Sequence, residues 1–94
     1  MIVNRRTFVA KRGCLQEAAE MLNQEAEKMG LKSSFRLYVP EVAPFDVIAV
    51  EIEFENWEQY HKTWAEWSPG DAFWSKWYAC TESGGVNEVW SLVK

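Results

Sequence analysis

No stretch of the sequence approaches the roughly 18 consecutive apolar residues that a membrane-spanning helix needs, so no membrane partner is expected. The opening run, MIVNRRTFVAKRG, places charge where a secretory signal carries its apolar segment, and no signal peptide is expected either. Histidine is scarce: His61 stands alone. The two cysteines, Cys14 and Cys80, form no CxxC pair and have no histidine at ligand spacing. Spacing therefore gives no metal site, and the pair reads as reduced, half-buried thiols of a cytoplasmic protein. Clustered positive charge is also missing. Lysine and arginine number 10 against 14 acidic residues, and they are scattered apart from Arg5 with Arg6 and Lys11 with Arg12. That excludes a nucleic-acid surface. The chain has no Gly-rich phosphate loop, no GxSxG, no HExxH and no internal repeat.

Tryptophan is the residue present in excess. Four of the six tryptophans fall in residues 61–78, HKTWAEWSPGDAFWSKWY, with a phenylalanine and a tyrosine among them. A chain of 94 residues forms one domain. A monomer of that size buries only somewhat over half of its unfolded surface, so large side chains or a partner must complete the core. The rings are therefore either that core or the wall of a ligand pocket.

Periodicity gives the elements. Residues 2–10 are β-branched and aromatic and end at the turn-like Lys11, Arg12 and Gly13, which predicts a strand. Residues 14–29 place Leu15, Ala18, Ala19, Leu22, Ala26 and Met29 on one helical stripe, with Glu17, Glu20, Gln24 and Glu27 on other faces. Gly30 follows as the stop. Residues 33–40 alternate Phe35, Leu37 and Val39 against Arg36 and Tyr38, a half-buried strand ending at Pro40. Residues 45–54 alternate Ile48, Val50, Ile52 and Phe54 against Val47, Ala49, Glu51 and Glu53. The period then changes. Trp57, Tyr60, Trp64 and Trp67 share one arc of a helix over 55–67, with Asn56 as N-cap. Ser68, Pro69 and Gly70 break it. Asp71 caps a short helix over 72–81 with Phe73, Trp77 and Cys80 on one side, residues 83–85 form a loop, and 86–93 form a last strand.

This order predicts one α+β domain over residues 1–94, ferredoxin-like βαββαβ, with an antiparallel four-stranded sheet and its helices on one face. The uncovered face would carry Val47, Ala49, Glu51, Glu53, Arg36, Tyr38 and an arginine of the first strand. Arg5 or Arg6 can pair there with Glu51, Glu53 or Glu88. Apolar groups mixed with charge suit an interface, so a homodimer packed through its sheet faces is expected.

The run RTFVAKRG (6–13) resembles the arginine, aromatic, lysine, glycine signature that opens the NIPSNAP-like members of the dimeric α+β barrel superfamily, with Arg12 where a proline is common. The order of elements and the segment EFENWEQYHKTWAEW (53–67) are similar to the rest of that domain. More distantly, the chain resembles the antibiotic-biosynthesis monooxygenases. The resemblance implies the ferredoxin-like fold and a barrel built by two chains. Oxygenases, isomerases, decarboxylases and heme binders share that superfamily, so it implies little about the reaction.

The heme-degrading oxygenases of the superfamily keep an asparagine on the first strand, for which Asn4 is the possible match. They also keep a tryptophan, matched by Trp67, and a histidine ten residues later. Trp77 occupies that last position and cannot bind iron, so no heme and no other cofactor is expected. The resemblance to the cofactor-independent monooxygenases asks only for a dry slot with polar groups to steady an oxyanion. The candidate ligand-binding residues are Asn4, Arg6, Tyr38, His61, Trp64 and Trp67. His61, beside Trp57 and Trp64 on its helix, reads first as a surface or boundary histidine and second as a general base or an axial ligand to heme iron.

The sequence supports a leading function and one alternative from another class. The leading one is a small-molecule-binding protein, with cofactor-independent oxygenation of an aromatic substrate as its chemistry. The alternative is a non-catalytic dimeric structural or ligand-carrier module whose tryptophans are core. The first needs an enclosed cavity touching Trp64 or Trp67 and at least one polar group such as His61 or Tyr38. The second needs those rings to close the space.

Overall fold

The computed structural model describes residues 1–31 and 34–94. The elements follow in the order β1 (Ile2–Ala10), α1 (Leu15–Lys28), β2 (Phe35–Tyr38), β3 (Val47–Phe54), α2 (Trp57–Glu66), α3 (Asp71–Cys80) and β4 (Thr81–Ser91). One antiparallel sheet of four strands has the order β2-β3-β1-β4, which is the ferredoxin-like arrangement. The predicted start of β2 at residue 33 lies outside the described residues. Among the described residues, no helix is long and apolar enough to cross a membrane.

Register decides which side chains meet the helices. β1 pairs with β3 so that Asn4 faces Ile52, Arg6 faces Val50 and Phe8 faces Ile48. Side chains alternate along a strand, so Ile2, Asn4, Arg6, Phe8 and Ala10 share the face of Ile48, Val50, Ile52 and Phe54. This is the face that packs on the helices. Two buried clusters lie there, one around Ala10, Ala18, Met21, Ile48, Trp77 and Cys80, the other around Ile2, Ile52 and Phe54.

Helix α1 ends as expected. Gly30 adopts φ +71°, Leu31 N–H donates to Ala26 O at 3.0 Å and Gly30 N–H to Glu27 O at 3.1 Å. That pairing satisfies the last carbonyls through a left-handed residue, which glycine supplies without strain. The buried stripe of α1 is wider than its apolar pattern. Met21 and Glu25 are buried, while Leu15 and Leu22 are only partly covered.

Asn56 caps α2 as predicted, its Oδ1 accepting from Gln59 N–H at 2.9 Å. Asp71 does not cap α3. It is the first residue of that helix, Gly70 holds the cap position, and no side chain satisfies the end. The predicted loop at 83–85 is not a loop. Helix α3 runs directly into β4, and residues 83–85 sit inside the strand, where the register with β1 shifts between Thr7 and Val9. Two glycines make this bulge possible. A Cβ on Gly85 would lie 2.6 Å from the Thr7 carbonyl oxygen.

The stripe Trp57, Tyr60, Trp64 and Trp67 is less deeply core than its spacing predicts. No residue of α2 is buried, and Trp57 is 53% exposed. Val39, expected to face inward, lies past the end of β2 and is exposed. Trp77 and Cys80 are the buried residues of α3.

Candidate aromatic cavity

Between the inner face of the sheet and the three helices lies a partly open cavity of about 100 Å³. Phe8, Val50 and Ile52 form its floor, Leu22, Ala26 and Met29 of α1 one side, and Trp64, Trp67, Phe73, Trp74 and Trp77 the other. The break at residues 68–70 makes this wall. It ends α2 at Trp67 and restarts the helix at Asp71, so that aromatic residues of two short helices converge. The rings meet mainly edge to face. Trp67 lies 5.6 Å from Trp64, 5.7 Å from Phe73 and 5.4 Å from Trp74. Phe73 stacks on Trp77 at 5.8 Å, and Trp77 meets Phe8 edge-on at 5.1 Å. Such geometry sets the positive ring edge against the negative ring face.

Two charged side chains reach this otherwise apolar space. Arg6 lies with its guanidinium carbon 3.9 Å from the centre of the Trp64 ring, a cation–π contact. Its Nε–H donates to Asn4 Oδ1 at 3.2 Å. Asn4 is 1% exposed and is itself held by donation to Asn87 Oδ1 at 2.7 Å and Glu88 O at 2.8 Å. Asn4 thus aims Arg6 rather than lining the cavity. Among the described residues no carboxylate pairs with Arg6.

Glu25 is the second charged group, and its sequence pattern gave no sign of it. It is 7% exposed. Trp67 Nε1–H donates to Glu25 Oε1 at 3.1 Å, and Lys28 Nζ lies 3.1 Å from Oε2. Its charge is therefore answered twice, whereas that of Arg6 is not. Trp64 adds one further unsettled group, because its Nε1–H is buried without a partner among the described residues. A buried donor left unpaired costs about 1–3 kcal/mol.

The candidate residues thus separate. Arg6, Trp64 and Trp67 line the cavity and Asn4 supports them. His61 does not reach it. That ring is exposed and stacks on Trp57 at 5.9 Å, one face of the helix away. Tyr38 does not reach it either, because it sits on the opposite face of the sheet, where its register partner is Ala49. Both were assigned to the site from position along the chain, and the pleat and the helical rotation put them elsewhere. A void thus lies at Trp64 and Trp67, partly open rather than enclosed, and its polar lining comes from Arg6 and Glu25 instead of His61 or Tyr38.

The uncovered face carries the expected mixture, with Arg5 rather than Arg6 as its arginine. Arg5 lies 3.9 Å from Glu51, and Arg36 pairs with Glu53 at 2.9 Å. The hydrogen bond to Glu53 raises the Arg36 pKa. Tyr38 Oη donates to Glu51 Oε1 at 3.0 Å, and that bond, followed by burial, raises the phenol above its ordinary value. Trp90 and Val86 of β4 stand exposed on the same face.

No protein-family model and no curated protein matches the sequence. Solved structures do match the fold. A NIPSNAP family protein from Agrobacterium tumefaciens superposes with a TM-score of 0.77 at 12% identity, over 96% of this chain and 90% of that one. An antibiotic biosynthesis monooxygenase superposes with a TM-score of 0.74 at 11% identity over the whole of both chains. SnoaB, a cofactor-independent oxygenase from Streptomyces nogalater, gives 0.69 at 11% identity, over 99% of this chain and 93% of that one. The chain has a ferredoxin-like α+β fold, with NIPSNAP and antibiotic biosynthesis monooxygenase proteins as structural neighbours.

Proposed function

We propose that this chain is a small-molecule-binding protein that takes a small apolar or aromatic ligand into the cavity beside Trp64 and Trp67. The observation that carries the reading is a void among packed aromatic rings, lined by a guanidinium that has no carboxylate partner among the described residues. Protein interiors leave few such voids. The cavity limits the ligand. At about 100 Å³ it is smaller than the roughly 150 Å³ apolar cavity that accepts benzene, so the ligand is one ring or less unless the mouth widens. An oxygen on the ring would meet Arg6.

The finer reading is cofactor-independent oxygenation of an aromatic substrate, in which the substrate itself supplies the electrons to dioxygen. It is supported by likeness of fold to SnoaB. Arg6 would steady the oxyanion that forms on the ring. The carrier reading draws support from the extent to which Trp67, Phe73, Trp74 and Trp77 pack on one another.

Tryptophan fluorescence titrated with single-ring phenols and quinones tests binding. Saturable quenching is expected, weakened about ten- to a hundredfold in Arg6→Met, since a hydrogen bond to a charged group contributes about 1.5–3 kcal/mol. His61→Ala and Tyr38→Phe are expected to bind as the parent does. Loss of binding in His61→Ala with none in Arg6→Met would place the ligand outside the cavity. Oxygen uptake with a bound phenol then separates oxygenase from carrier.

The homodimer belongs to the same proposal. It is supported by the uncovered sheet face, where Trp90, Val86 and Tyr38 stand exposed among ion pairs. Sedimentation equilibrium is expected to give the mass of two chains, and Trp90→Arg to give one. A parent protein that stays monomeric at tens of micromolar contradicts it. A cytoplasmic setting is supported by the two free thiols.

A further inference from the structure

The end of β1 and the start of α1 run alongside the junction of α3 and β4. Lys11 N–H donates to Cys80 O at 2.8 Å, and Cys14 N–H donates to Lys11 O at 2.9 Å. These bonds set Cys14, at the N-cap of α1, beside Cys80, the last residue of α3. Glu17 stands one turn into α1. The two Sγ atoms and a Glu17 carboxylate oxygen lie within 4.8 Å of one another. Cys80 is buried, Cys14 half-buried and Glu17 exposed, so the cluster has one side in the core and one toward solvent. Lys76 Nζ, from α3, lies 3.2 Å from Glu17 Oε1.

We propose that Cys14, Cys80 and Glu17 form a binding site for one soft divalent cation of the zinc type. Thiolate ligands stand about 2.3 Å and carboxylate oxygens about 2.1 Å from zinc, which separates tetrahedral donors by about 3.5–3.8 Å. The side chains need close by only about an ångström to reach that geometry. Two sulfurs select zinc, cadmium or a similar ion over magnesium and calcium, which take oxygen. The exposed side leaves a fourth position for water. Two thiolates and a carboxylate carry one more negative charge than a divalent cation neutralises, and Lys76 supplies the balancing positive charge while orienting Glu17. The bound ion ties the β1–α1 turn to the α3–β4 junction.

Each thiol that becomes a ligand releases one proton, because the thiolate is the binding form. Burial, then the neighbouring Cys14, push Cys80 up to about 11. The groups facing it are Cys14 and Glu17, with Lys76 behind Glu17. Thiolate ligation therefore makes affinity rise with pH, by about tenfold per unit for each proton released.

The test titrates the reduced full chain with Zn²⁺ or Cd²⁺ alone, read by equilibrium dialysis, cadmium–thiolate ultraviolet absorption and proton release. The expected result is one bound ion per chain, proton release on binding, and a melting temperature that rises with free metal. Cys14→Ser, at a half-buried position, is expected to lose at least a hundredfold in affinity. Glu17→Gln, on the surface, is expected to lose about tenfold or more. Cys80→Ser removes a buried group, and the first two variants keep the test independent of its folding. Absence of a stoichiometric ion, or unchanged binding in Cys14→Ser, overturns the site. So does a chain that takes up no cation and forms a Cys14–Cys80 disulfide with glutathione disulfide.

Discussion

Trp77→Ala is expected to destabilise the protein by about 3–5 kcal/mol, and Trp57→Ala by about 0.5 kcal/mol or less. Urea denaturation checks both. The two tryptophans look alike in the sequence, each on a helical arc of aromatic residues, but their surroundings differ. Trp77 is 7% exposed and joins the larger buried cluster with Ala18, Ile48 and Cys80. It meets Phe8 of the sheet edge-on and stacks on Phe73. Truncation there leaves a hole that the rigid sheet below cannot collapse to fill. Trp57 is more than half exposed at the first turn of α2 and touches only Tyr60 and His61 among aromatic groups. Removing it returns little apolar surface to water. The reverse ranking would mean that α2, not α3, carries the main contact with the sheet.

Ala26→Leu is expected to lower affinity for a small aromatic ligand at least tenfold while leaving stability unchanged or slightly raised. Ala26 is 5% exposed on α1 and forms part of the cavity wall. Leucine adds three heavy atoms, and the cavity has room for them at about 100 Å³. Filling a void gains contacts, whereas forcing atoms into a packed region costs about 1–3 kcal/mol. Denaturation and ligand titration on the same sample separate the cases. A variant that loses about 1–3 kcal/mol and still binds would show that ligand and void are unrelated.

The helix-covered face was legible from period, and the sheet arrangement from the order of the elements. Alternation in residues 45–54 assigns Ile48, Val50, Ile52 and Phe54 to the core, and all four lie on the helix-covered face. Four of the six candidate site residues also belong together, with Arg6, Trp64 and Trp67 at the cavity and Asn4 behind Arg6. Tyr38 and His61 lie away from this cavity for geometric reasons. The first depends on which face of the sheet receives even and odd residues of β2, the second on a rotation of α2 that leaves Trp57 and His61 outside.

Glu25 was invisible because a glutamate on an amphipathic helix ordinarily reads as solvated. Only the docking of Trp67 and Lys28 against it, far apart from Trp67 in sequence, makes burial tolerable. The same holds for Cys14 and Cys80. No sequence spacing brings them together, while the backbone bonds at Lys11 do. The bulge at residues 83–85 carried a turn-like composition, and the close approach of Gly85 to the Thr7 carbonyl explains the glycine without a turn.

The central claim is that the void beside Trp64 and Trp67 receives a ligand, and the indole N–H resonances of nitrogen-15-labelled protein report on it directly. In a titration with phenol, the account predicts saturable shifts of the Trp64 and Trp67 N–H signals, with those of the exposed Trp57 and Trp90 unmoved. Shifts confined to Trp57 and Trp90, or none at any indole, would contradict it and leave the tryptophans as core.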